Sequence, residues 1–87
     1  MNSSAKINAQ LNTLLELARD IGFEIRKENL SGAGGRSLCV DGRKCLQLDI
    51  SADVQQQIAT VTQALEADPQ LALYEISDTQ ETALRAA

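Results

Sequence analysis

The chain has 87 residues, enough for one domain with a thin core, and because it holds a single Phe and a single Tyr that core must be aliphatic. It has no histidine and only two cysteines, which excludes Ser-His and Cys-His catalytic pairs, HExxH zinc helices and a four-thiolate zinc site built by one chain. The net charge of −4 and the scarcity of aromatic side chains disfavour a nucleic acid partner. From the composition as a whole we expect no cofactor, no metal, no nucleic acid partner and no enzymatic activity.

The start of the chain predicts a helix followed by a strand. Apolar residues recur at helical spacing from Ile7 to Ile21, and Gly22 follows where a C-terminal glycine belongs, so we expect a helix over about residues 4–20. The alternation of apolar and polar residues that begins at Phe23 predicts the first strand.

Nothing near the start of the chain predicts export or membrane insertion. The first twenty residues contain no apolar run, whereas a spanning helix needs about 20 apolar residues. We therefore expect no membrane partner and a cytoplasmic location, where a reducing environment keeps both cysteines as thiols.

A glycine-rich loop follows the first strand. Such loops bind phosphate when bare backbone N–H groups converge on the anion, usually at a helix N-terminus. This loop runs into a strand and no Lys-Ser/Thr follows it, so neither of the Gly-rich phosphate fingerprints matches. Two interpretations stay open: a flexible connection, or a small anion or ligand site. The candidate anion-binding residues are Ser31, Gly32, Gly34, Gly35 and Arg36.

Asp41-Gly42 predicts a hairpin between two strands at about residues 36–41 and 44–50. A two-residue loop would place the apolar residues of these strands on opposite faces. A three-residue loop places all of them on one face, and because a one-residue slip reverses every side chain, we expect burial to select it. The residues brought to one face are Leu38, Val40, Leu46, Leu48 and Ile50.

The three-residue loop pairs Val40 with Lys44 and therefore places Cys39 directly opposite Cys45. Directly opposed side chains have Cβ atoms about 4.5–5.5 Å apart, near the spacing that a disulfide needs. Two interpretations stay open: two small reduced thiols on a sheet face, or a redox-responsive pair that forms a reversible disulfide. Lys44 points to the other face in this register, so we expect little activation of either thiol.

The second half of the chain predicts a further helix and a short C-terminal extension. Either Ser51 or Asp53 starts the helix, Asp53 with Gln56 resembles a capping box, and Asp68-Pro69 ends the helix. Residues 71–76 fit either a strand or a helical turn, and Asp78 with Glu81 predicts the cap of a final short helix. The chain is thus expected to form a single α+β domain over residues 1–87, in the order α-β-β-β-α, with two helices covering one face of a small antiparallel sheet.

A sheet covered on one face leaves the other free to meet a partner. We expect the third strand to be a sheet edge with Asp49 as its only charged residue, an arrangement that invites strand pairing. The first functional hypothesis is therefore a non-catalytic module that binds itself or another protein through Cys45, Gln47 and Asp49. The redox pair and the anion loop are the alternatives. The uncovered face is expected to carry Glu24, Arg26, Ser37, Cys39, Cys45 and Gln47.

Gly34-Gly35 is followed by Cys39, one residue looser than a Gly-Gly-x-x-Cys element, then by the hairpin, Asp49 and Gln56-Gln57. In these features residues 10–85 resemble a family of small bacterial proteins that share the Gly-Gly-x-x-Cys element, the hairpin, an Asp or Asn, and a helix opening with Glu/Gln-Gln. The resemblance implies a bacterial origin and brings no known activity.

The order of helix, strand, glycine-containing loop, two strands and helix also resembles the minimal zinc metallopeptidases that cleave phage-immunity repressors. Gln63, Ala64 and Ala67 stand on the second helix where that family has its His, Glu and His. This second resemblance implies a truncated relative that has neither the metal nor the catalytic base.

Overall fold

A computed structural model describes residues 3–86 of the chain. Along the chain, an N-terminal helix is followed by a three-stranded mixed sheet and then by a helical C-terminal half, which confirms the predicted α+β class and the α-β-β-β-α order. None of the helices in the described part of the chain has the length and apolar content needed to cross a bilayer. The elements are α1 (Ser3–Asp20), β1 (Glu24–Glu28), β2 (Arg36–Val40), β3 (Arg43–Asp49), α2 (Val54–Glu66), a 3-10 helix (Pro69–Leu73) and α3 (Asp78–Arg85).

The strand order is β1-β3-β2, with β3 parallel to β1 and antiparallel to β2. The sheet is therefore mixed, not antiparallel throughout as expected, because the glycine-rich loop carries the chain from β1 across the end of β3 before β2 begins. The prediction that β3 is an edge strand is wrong for the same reason. The edges of the sheet are β1 and β2.

The hairpin between β2 and β3 turns on two residues, since Val40 pairs with Arg43. Asp41 and Gly42 both have positive φ, 52° and 78°, which is the type I′ geometry that Asp-Gly prefers. The predicted three-residue loop is wrong because this local turn geometry sets the register. As a result, the apolar residues of β2 lie on the opposite face from Leu46 and Leu48.

The core fills the space between α1, α2 and one face of the sheet, and it is aliphatic as the composition predicts. The cluster includes Leu14 from α1, Leu48 from β3, and Ile58 and Val61 from α2. Leu38 does not belong to it, because the two-residue turn directs it to the other face. The most deeply buried apolar side chains are Leu14, Leu15, Leu17, Leu46, Leu48, Val61 and Leu65.

Two caps define the start of α2 and α3. Asp53 accepts a hydrogen bond of 2.8 Å from the Gln56 backbone N–H, so the predicted cap of α2 is confirmed. In α3 the cap is Ser77, which forms a reciprocal capping box with Gln80. Asp78 is already helical, so the predicted Asp78 cap is wrong by one residue.

The C-terminal extension is fastened to α1 at Asp20. Tyr74 Oη and Gln80 Nε2 each donate a 2.9 Å hydrogen bond to Asp20 Oδ2, and Gln10 Nε2 donates to the Ala83 carbonyl. Residues 71–76 form part of the 3-10 helix and the chain beyond it, and they add no strand to the sheet. The extension therefore packs on α1 and extends neither edge of the sheet.

We expect Leu48→Ala to lower the free energy of unfolding by about 2–5 kcal/mol, because Leu48 is fully buried and its truncation leaves a cavity in the core. Urea unfolding followed by circular dichroism measures the loss. Gln56→Ala, on the exposed side of α2, is the control and should change stability by less than about 0.5 kcal/mol. Equal losses in the two variants would contradict the assignment of the core face.

Candidate functional site

The hairpin register separates the two cysteines. Cys39 pairs with Lys44, and Cys45 pairs with Leu38. Opposed residues share a face and successive residues alternate between faces, so the two sulfur atoms lie on opposite sides of the sheet. The prediction of a cross-strand thiol pair is therefore wrong, and so is the placement of Lys44 on the face away from Cys39.

Cys45 lies in an environment that keeps its sulfur protonated. Burial raises the pKa of the thiol, and a 3.5 Å hydrogen bond from Sγ to Glu24 Oε1 raises it further. The thiolate is the reactive form of cysteine, so a raised pKa makes the group inert. Cys39 is exposed on the helix-covered face, away from Cys45. Neither the geometry nor the pKa of Cys45 supports redox chemistry between them.

Lys44 ties the hairpin to the ends of two helices. Its Nζ donates to the Ile21 carbonyl and to Asp68 Oδ2 at 2.8 Å, and it lies 4.8 Å from the centroid of the Phe23 ring. Burial raises the pKa of the Asp68 carboxyl, but the hydrogen bonds from Lys44 and from the Gln70 N–H outweigh this and lower it. An open cleft of about 310 Å³ adjoins the pair. The charges of Lys44 and Asp68 compensate each other, which indicates that the pair has a structural role.

The glycine-rich loop encloses a carboxylate that belongs to the chain itself. Leu30 N–H donates to Asp49 Oδ1 and Gly34 N–H to Asp49 Oδ2, each at 3.0 Å. Ser51 donates its N–H and its hydroxyl to Oδ1 at 2.9 and 2.6 Å, and its Oγ accepts from Gly32 N–H at 2.9 Å. Of the N–H groups expected to bind an external anion, those of Gly34 and Gly32 are thus occupied by Asp49 and Ser51, and that of Ser31 donates to Asn29 Oδ1.

Asp49 is only 1% exposed and yet ionised. The Ser51 hydroxyl contributes most to lowering the pKa of this carboxyl; burial opposes the effect, and the backbone N–H donors add to it. Arg36, expected to complete the anion site, lies at the start of β2, where its backbone is opposite that of Gln47. One sequence signal could have predicted this site: Asp49 is an acidic residue at the end of a strand, and its carboxylate accepts from the N–H groups of the glycine-rich loop.

The face of the sheet away from the helices is open. Glu24, Arg26, Cys45 and Gln47 lie on it as expected, whereas Ser37 and Cys39 are on the helix side. Their places are taken by Leu38, half-buried, and Val40, 45% exposed. A shallow depression of about 320 Å³ runs beside Val40, lined by Glu24, Arg26, Val40, Asp41, Arg43 and Cys45.

The two edges of the sheet differ in charge. Four of the five residues of β1 are charged, and charges along an edge oppose the approach of another strand. In β2, Arg36 is the one charged residue, and it stands at the start of the strand. The edge with few charges is therefore β2, whereas Cys45, Gln47 and Asp49, which were expected at an edge, lie in the central strand.

No family model, curated protein or solved structure has significant similarity to this chain. The resemblances to the small bacterial family and to the minimal metallopeptidases stay predictions.

Proposed function

We propose that this chain is a non-catalytic protein-interaction module that binds a protein partner through the open face of the sheet and the edge of β2. The observation that carries the proposal is the position of Leu38 and Val40. In a small domain with a thin core, the hairpin register directs these two apolar side chains away from the core and onto an uncovered face.

Single exposed apolar residues are common and need no explanation. Here Val40 and the half-buried Leu38 are two positions apart on one strand, so they share a face, and that strand is also the edge without charge protection. A partner that adds a strand to a sheet needs both an unpaired edge and an apolar strip beside it. Its backbone hydrogen bonds to the edge supply affinity, and contacts of alternate side chains supply specificity.

The polar groups that would attract an enzymatic interpretation have structural partners. Lys44 is bonded to Asp68, Asp49 is enclosed by the glycine-rich loop, and Cys45 is a buried thiol with a raised pKa. These contacts support a binding module over a catalyst, because none of the three groups is left to act on a substrate.

A photo-crosslinking amino acid at position 40 tests the proposal in cells that make the protein. We expect irradiation to give one discrete protein adduct, identified by mass spectrometry, because Val40 lies in the proposed contact. The same amino acid in place of Leu73, which is 82% exposed on the 3-10 helix, is the control for random collision. The proposal fails if position 40 gives no protein adduct, or the same adducts as position 73.

A further inference from the structure

We propose that the partner is a second copy of this chain, and that β2 of each copy pairs antiparallel with β2 of the other about a twofold axis at Leu38. The two sheets then form one continuous sheet of six strands. This inference rests on the proposed function and specifies its partner. It is carried by the register of β2, by the side chains that the register presents and by the contrast with β1.

The register shows which backbone groups of β2 are free. Val40 and Arg43 flank a two-residue turn, so they form a hydrogen-bonded pair, and pairs along an antiparallel ladder alternate. The backbone of Leu38 then forms hydrogen bonds with the backbone of Cys45, whereas Ser37 and Cys39 direct their N–H and C=O groups away from β3. The free edge of β2 therefore presents two donors and two acceptors in alternation.

A twofold axis at Leu38 satisfies these groups without any change in the strand. Ser37 of one copy is placed opposite Cys39 of the other, and the two symmetric pairs exchange four backbone hydrogen bonds. Both side chains at each pair are small. Because Leu38 is the central residue of β2 (Arg36–Val40), every residue of the strand lies opposite a strand residue of the other copy. An axis at Cys39 would instead oppose strand residues to the tight turn.

The same axis matches the side chains on the open face. The two Leu38 side chains meet at a non-hydrogen-bonded position, where Cβ atoms approach most closely, and they extend the apolar strip from one copy to the other. Arg36 of each copy is brought beside Val40 and Asp41 of the other. Within residues 3–86 neither Arg36 nor Asp41 has an ion-pair partner, so opposite charges meet at both ends of the paired strands.

The alternative edge does not offer this match. Strand β1 carries Glu24, Arg26, Lys27 and Glu28. A symmetric pairing about its centre would set residue 24 opposite residue 28, which places two like charges together at each end of the contact. We therefore place the interface at β2.

Disulfide trapping tests both the dimer and its register. In a Cys39→Ser/Cys45→Ala background, which removes the native thiols, we expect Leu38→Cys to form a symmetric disulfide dimer with oxidised glutathione, because the two new thiols face each other across the axis. Val40→Cys is the matched control. Val40 is the more exposed position, but the two copies of it are separated by four residues along the paired strands, about 13 Å, beyond the reach of a disulfide.

Crosslinking of Val40→Cys as fast as Leu38→Cys would indicate collision and overturn the register. The unmodified chain provides a measurement that does not depend on any substitution: sedimentation should give a mass of twice 9.4 kDa at high concentration. A chain that stays monomeric at several hundred micromolar overturns the dimer. The proposed function is judged separately, because an adduct of Val40 with a different protein would support the module even where sedimentation shows a monomer and overturns the dimer.

Discussion

Replacing Asp49 with Asn is expected to lower the melting temperature by roughly 10–20 °C, since hydrogen bonds to a buried charged group are among the strongest in a protein and 1 kcal/mol shifts a domain of this size by about 4–8 °C. The Asn side chain has the same size but presents an NH₂ donor where Leu30 or Gly34 already directs an N–H. One of these buried donors loses its acceptor. Differential scanning calorimetry measures the change.

The same variant should change the dependence of stability on pH. The folded protein holds the pKa of Asp49 below the ordinary value of 3.8, so the ionised carboxylate stabilises the fold. This contribution is complete above the ordinary pKa and is lost as the pH falls from there towards the lower folded-state pKa. We expect the unmodified chain to lose more stability than Asp49→Asn between pH 5 and pH 2.

The control for Asp49→Asn is Asp53→Asn. Asp53 is exposed and caps α2, and Asn is as good an N-cap as Asp, so this variant should melt within a few degrees of the unmodified chain. If the two variants melt alike, the carboxylate of Asp49 does not hold the loop.

Replacing Gly35 with Ala is expected to remove about 3 kcal/mol or more from an unfolding free energy that is about 4–13 kcal/mol for a chain of this length. A Cβ at position 35 would lie 1.8 Å from the backbone oxygen of Gln47 and 2.8 Å from its carbonyl carbon. Both atoms belong to the central strand, so neither can rotate away, and β2 would have to move off β3. Urea unfolding measures the loss.

Gly32→Ala separates this collision from the general cost of changing a glycine in the loop. A Cβ at position 32 meets nothing within 4 Å, but φ is +82°, a conformation that costs other residues about 1–2 kcal/mol. We expect Gly32→Ala to be clearly less destabilising than Gly35→Ala. The opposite order would show that the positive φ at Gly32 costs more than the close approach of Gly35 to Gln47, and would contradict the steric role assigned to Gly35.

The helices and the core were predictable because their signals are local and repeated. The apolar spacing of α1 is summed over five turns, and Gly22 and Asp53 mark helix ends by backbone chemistry that involves only their neighbours. Burial of Leu14 and of the apolar stripe of α2 (Ile58, Val61 and Leu65) follows directly from that periodicity.

The hairpin register was mispredicted because two signals disagreed. The apolar parity of β2 and β3 favoured a three-residue loop, whereas Asp41-Gly42 has the geometry of a two-residue turn. Parity assumes that all apolar residues are buried in one core, and Leu38 and Val40 do not follow that assumption. Local rules are most often broken at functional sites, so this departure supports the proposal that the open face binds a partner.

The place of β3 and the role of Asp49 depend on contacts between residues distant in sequence. Nothing within either strand indicates that β1 passes over to the far side of β3, because the path is determined by the loop that connects β1 to β2. The carboxylate of Asp49 is bonded to N–H groups 15 and 19 residues earlier. No spacing rule links these positions until the sheet order is known.

The strand order has a consequence for how the chain emerges from the ribosome. The first two strands do not touch each other, and each pairs only with β3, which is the last strand to be synthesised. Until Asp49 has left the exit tunnel, β1 and β2 lack the neighbour that satisfies their backbone groups, and the apolar stripe of α1 lacks the surface formed by Leu46 and Leu48. The residues up to Asp49 therefore have to be made before the sheet can be completed, so β1, β2 and the apolar face of α1 wait for the strand that is synthesised last.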